Sequence, residues 1–160
     1  MIDFEDTFET TDSGATSTYP MSAGDVKKGG LMCIESRPCK VVSIEFHKTG
    51  KHGHAKATIV GIDIFTHKKF EDSIPASFTI EVPNITRKEY SLFSVDEENF
   101  CSLLDVVSNE MRSDIKLPDE TEDDESLSKR IIADLEEGKE MNVTVLGGMG
   151  IEKIIDMKLL

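Results

Sequence analysis

From Tyr19 to Val82 the apolar residues never recur at helical spacing, and this constrains the first half of the chain more than any other feature. Short apolar runs are cut instead by turn formers. Gly29-Gly30 and Arg37-Pro38 bracket Leu31-Met32-Cys33-Ile34. Cys39 to Phe46 alternates, which predicts a strand with Val42, Ile44 and Phe46 on one face and Ser43 and Glu45 on the other. Ala57 to Phe65 is a second strand-like run, with Ile62 and Ile64 flanking Asp63. The two runs read as a long hairpin, and the set of short strands as a small, highly bent β-barrel.

Val82-Pro83-Asn84 reads as a linker, because Pro83 has no N–H for a ladder and holds Val82 extended. Beyond it, Tyr90–Phe93, Phe100–Leu104 and Met141–Leu146 are expected strands. Ser126–Glu137 is an expected helix. Leu127, Ile131 and Leu135 recur every four residues, Glu122–Glu125 suit the N-terminal dipole, and Gly138 suits the position after the last turn. Strands with one helix inserted before a late strand predict a five-stranded OB-type barrel. The chain therefore reads as an acidic, disordered tail over 1–18, a first barrel over 19–82 and a second domain over 83–160.

Charge separates these segments. Residues 1–18 carry −5, residues 19–82 carry +2 and residues 83–160 carry −10, within a net charge of −13. Such acidity argues against indiscriminate coating of nucleic acid. Cys33, Cys39 and Cys101 are odd in number and form no C-x-x-C pair, which points to buried, reduced thiols rather than a disulfide framework. The N-terminus has no apolar core of a signal peptide, and no apolar run reaches membrane-spanning length. The expectation is a soluble, cytoplasmic protein.

Against this background, His47-Lys48-Thr49-Gly50-Lys51-His52-Gly53-His54-Ala55-Lys56 is exceptional. It holds three lysines and three of the four histidines, and no acid occurs between Glu45 and Asp63. A loop without internal counter-charge suits an external polyanion such as RNA. A solvated hairpin tip would also favour glycine with polar neighbours. Other chemistries fail on residue type. A phosphate-binding loop needs Gly where Glu45 stands and Ser or Thr where His52 stands. His47, His52 and His54 offer neutral metal ligands, but the lysines repel a dication and no Cys or carboxylate joins them. No G-x-S-x-G elbow is present, and Asp119–Glu125 reads as a solvated loop capping the helix that follows.

With these residues in view, the chain resembles the eukaryotic translation factor 5A family, whose members carry hypusine. The likeness is strongest over Lys48-Thr49-Gly50-Lys51-His52-Gly53-His54-Ala55-Lys56. It continues through Gly61-Ile62-Asp63-Ile64-Phe65, Lys68-Lys69-Phe70-Glu71-Asp72 and Val82-Pro83-Asn84-Ile85, and runs from about Gly14 to Leu146. The resemblance implies an all-β fold, with an N-terminal SH3-like barrel followed by a C-terminal OB-fold barrel. It implies that Lys51 is the modified lysine. Deoxyhypusine synthase would transfer an aminobutyl group from spermidine to it, and deoxyhypusine hydroxylase would then hydroxylate the product. No separate cofactor or metal is implied. The expected partners are ribosomal RNA and peptidyl-tRNA, steadied near the peptidyl-transferase centre in elongation, notably at proline runs, and in termination. Gly50 and Gly53 keep the tip thin around Lys51.

The chain departs from the family pattern at Phe46-His47, where small polar residues are usual, and at His67, where Gly is usual. Gly147-Gly148-Met149-Gly150 is also richer in glycine than that pattern. Two other readings compete. One is a non-ribosomal RNA-binding OB-fold adaptor with an unmodified loop, which lacks the expected stacking aromatics. The other is an enzyme with a Schiff-base or acid–base Lys51, which would need an apolar pocket rather than a polar tip.

Overall fold

The computed structural model describes residues 17–48 and 55–160, and the chain divides after Asn84 into two units, each with its own core. In the first unit β1 (Thr18–Ser22) leads through a 3-10 turn (Ala23–Asp25) to β2 (Leu31–Ile34), β3 (Arg37–Lys48), β4 (Ala55–Asp63), β5 (Lys69–Pro75) and β6 (Thr79–Pro83). Strands β2 to β5 form an antiparallel sheet in chain order, while β1 pairs with β6. This is the SH3-like barrel. Met32, Ile34, Cys39, Val41, Ala57, Ile59 and Val82 fill it. Gly61 permits close packing of β4 on its neighbours: a Cβ there would stand 2.7 Å from Ile34 Cδ1 and 3.1 Å from Cys39 Cβ.

Three expectations need correction here. The β3–β4 register shifts between Val41 and Ser43, and this bulge reverses the inward phase upstream of it. Val41 is 1% exposed and Val42 39%, whereas Ile44 packs against the core as anticipated. Val82-Pro83 is no linker but the buried end of β6, which leaves only Asn84 before the next strand. The tail predicted over 1–18 lies outside the described residues except Ser17 and Thr18, and Thr18 begins β1.

Asp63 ends β4 with 1% exposure. Its carboxylate accepts from Arg37 Nε at 2.6 Å and from the Phe65 and Thr66 amides at 2.8 and 3.1 Å. Burial pushes this carboxyl up, but the Arg37 hydrogen bond and the two amides outweigh it and hold the group below its ordinary value. With the folded pKa depressed, the stabilisation is complete above the unfolded value of about 4 and is lost as pH falls through the folded one. Arg37→Ala is therefore expected to lower stability by about 2 kcal/mol at neutral pH, with the deficit shrinking in acid. Urea titrations at pH 7 and in acid check this; a deficit independent of pH would assign the effect to lost packing instead.

The second unit comprises β7 (Ile85–Val95), β8 (Phe100–Asp105), β9 (Met111–Lys116), α1 (Glu122–Glu136), β10 (Met141–Gly148) and β11 (Ile151–Leu159). The sheet runs β9-β8-β7-β10-β11. Arg112 on β9 donates to both Glu152 oxygens on β11, at 2.7 and 3.0 Å, and so joins the two outer strands into the OB barrel. The helix packs Ile131, Leu127 and Leu135 against the barrel core. It starts four residues before the expected Ser126, because Thr121 caps it. Thr121 Oγ1 accepts from the Asp124 amide at 3.0 Å while Asp124 Oδ2 accepts from the Thr121 amide at 3.1 Å. The acidic run is thus largely the first helical turn rather than a solvated loop. Gly138 follows the helix at φ +76°.

Cys39 and Cys101 are buried and Cys33 is half-buried. Burial first, and then the nearby Asp63 or Asp96 carboxylate, pushes Cys39 and Cys101 up to about 11. Cys39 and Cys101 are core residues. No helix among the described residues is long and apolar enough to cross a membrane.

Candidate functional site

The β3–β4 ladder continues past the barrel core to His47↔Lys56 and Lys48↔Ala55, its last pairs. Three features make the end of this hairpin a firm base. The paired ladder extends without interruption from Ser43 to Lys48. Strand β5 continues beside β4 until Pro75 faces Lys56. The Ala76 amide then donates to the Ala55 carbonyl at 2.9 Å, tying the following turn to the base of the hairpin. That turn is itself held by the Gly24 amide on the Ala76 carbonyl, also at 2.9 Å.

Of the residues singled out by the sequence, Lys48, Ala55 and Lys56 stand together at this base, with both lysines exposed. Thr49, Gly50, Lys51, His52, Gly53 and His54 lie outside the described residues. The pleat sorts their neighbours. Phe46 and Lys48 share one face of β3, and His47 shares the other with Lys56 across the ladder. Ala57, opposite Phe46, is fully buried, yet Phe46 itself remains 48% exposed. Glu45 Oε1 lies 3.6 Å from His47 Nε2 on that other face. His67, the fourth histidine, sits beyond the far end of β4 in a turn at φ +64°. That conformation explains why glycine suits the position.

The described residues thus place two exposed lysines, Lys48 and Lys56, at the end of a ladder that rises from a packed barrel core. Among the described residues no group of three His, Cys, Asp or Glu side chains is arranged to hold a metal ion. Sequence reasoning missed the Arg37–Asp63 anchor at the other end of the same two strands. Its one signal was a lone acid inside an apolar run.

Residues 16–78 match a family model described as translation initiation factor 5A-like, N-terminal. Residues 84–158 match one described as eukaryotic elongation factor 5A hypusine, DNA-binding OB fold. The chain is 46% identical over 158 residues to eukaryotic translation initiation factor 5A-2 of Arabidopsis thaliana, covering 99% of this chain and 96% of the relative. It is 41% identical to eukaryotic translation initiation factor 5A of Drosophila melanogaster, with the same shares covered. Among solved structures, a translation initiation factor eif-5a family protein from Naegleria fowleri matches with a TM-score of 0.84 and 49% identity, over 90% of this chain and 100% of that one. A eukaryotic translation initiation factor 5A from Methanococcus jannaschii matches with a TM-score of 0.65 and 28% identity, over 94% and 100%.

Proposed function

The chain belongs to the translation initiation factor 5A family, and from that premise we propose that it binds the ribosome and presents a hypusine-bearing Lys51 to peptidyl-tRNA. The observation that carries this reading is the hairpin itself: a basic end, with Lys48 and Lys56 exposed, on strands anchored in a barrel core. Modification by deoxyhypusine synthase and deoxyhypusine hydroxylase lengthens the Lys51 side chain and adds a second amine without adding backbone bulk. Lys48 and Lys56 neutralise RNA phosphates on either side of it. The acidic second unit, at −10 over 83–160, is repelled by phosphate, so the hairpin leads.

The factor makes and breaks no bond. It orients the acceptor end of peptidyl-tRNA beside the peptidyl-transferase centre, and orientation of this kind is worth several kcal/mol of barrier. The benefit is greatest where the reaction is slow, at consecutive prolines and at peptide release. The unmodified-adaptor reading is weaker. It needs several stacking aromatics on the OB barrel, yet Tyr90 is buried and the Phe100 ring lies under the Lys116 ammonium, 4.9 Å from its centroid, which leaves Phe93 as the single well-exposed ring of that unit.

A reconstituted translation system tests the proposal. Adding the modified protein is expected to raise full-length product from a message encoding a proline run, and to leave a proline-free message nearly unchanged. Equal yields from the proline message with and without the protein contradict it.

A further inference from the structure

We propose that Phe46 is a stacking platform for an unpaired base of the RNA against which the hairpin docks, an inference that rests on the ribosome-binding reading above. A phenylalanine that belonged to the core would be covered. Phe46 is 48% exposed although it lies on the inward face, opposite fully buried Ala57. The reason is geometric: along β3 the last residue packed on the core is Ile44, and across the ladder from Phe46 the core offers only the Ala57 methyl group. Exposure alone does not single the ring out, since Phe78 and Phe93 are 56% and 57% exposed; its place at the end of a basic hairpin does.

The chemistry around it selects that partner. Lys48 follows two residues later on the same face of β3, and no carboxylate occurs from Phe46 to Ile62. An aromatic face with a lysine beside it fits a nucleotide, the ring taking the base and the ammonium its phosphate. Glu45 Oε1 and His47 Nε2 lie 3.6 Å apart on the opposite face. The platform is therefore the Phe46–Lys48 face.

The test compares Phe46→Leu and Phe46→Trp, each produced with its Lys51 modification verified by mass and its melting temperature measured. Leu keeps the apolar bulk but loses the π-face; Trp enlarges it. Ribosome affinity is expected to fall about tenfold for Phe46→Leu and to be retained or raised for Phe46→Trp. The slope of affinity against salt should not change, because no phosphate contact is removed. Equal affinity of the Leu variant and the parent overturns the platform while leaving the ribosome reading intact. Failure of the parent itself to bind ribosomes overturns both. Incomplete modification of the Leu variant, with normal ribosome binding by its modified fraction, assigns the ring to the modifying enzyme and likewise overturns the platform.

Discussion

Lys51→Arg is expected to abolish activity while leaving the protein folded. Arginine keeps the positive charge and much of the length, but its guanidinium stays protonated and does not accept an aminobutyl group from spermidine. The variant therefore presents a shorter arm that cannot reach the position of the modified lysine. Misplacing an orienting group by an ångström costs about a hundredfold in rate, and the unextended arm falls short by several bonds. The fold should not notice, because the substitution replaces one polar cation by another, whereas the core clusters are built from apolar side chains. Growth of cells depleted of their own factor measures the effect, with melting temperature as the control. The Arg variant should melt like the parent and fail to support growth; normal growth contradicts the role given to Lys51.

The second large effect is structural. Asp124→Ala is expected to destabilise the second unit by about 4 kcal/mol. Asp124 and Lys153 are 5% and 7% exposed, and their side chains meet at 2.7 Å. The same carboxylate accepts from the Glu120 and Thr121 amides, at 3.0 and 3.1 Å, at the start of α1. Removing it takes the 2.7 Å partner from a buried ammonium and half of the capping box from the helix in one step. Glu120, 3.6 Å from Lys153 Nζ, softens the loss but is too exposed to replace a buried partner. The double variant Asp124→Leu with Lys153→Met removes both charges and should recover much of the stability, since a buried pair contributes little over an apolar one. Urea unfolding of the three proteins decides it. A loss below about 1 kcal/mol for Asp124→Ala means that the pair behaves as if it were solvent-exposed.

The parts of this fold that were legible in advance are those where one local rule dominates. The four-residue recurrence of Leu127, Ile131 and Leu135 and the positive φ at Gly138 locate the helix and its end. Its start was obscured because Glu122–Glu125 resemble a hydrated loop, although Thr121 and Asp124 three residues apart spell the capping box. Strand β9 carries Arg112, Ser113 and Asp114, and no apolar alternation marks it. It is held instead by an ion-paired seam to Glu152 on β11, a partner 40 residues away that no local window contains. The bulge at Val42 is invisible to a period of two, since one extra residue reverses the phase on one side of it. The pairing of the two strands and the basic positions Lys48 and Lys56 at their end were legible because the residue types there are so unlike the acidic chain around them. The exposure of Phe46 depends on where the core ends along β3, which is a property of the packed barrel.

The central claim is that this hairpin exists to carry a chemically extended Lys51. Peptide mass spectrometry on protein isolated from cells that contain the modifying enzymes tests it most directly. The account predicts that the peptide containing Lys51 is heavier by one aminobutyl group in place of a hydrogen plus one oxygen, with fragment ions assigning the whole increment to Lys51 and none to Lys48 or Lys56. An unmodified Lys51 peptide from protein that is active in translating proline runs would contradict it.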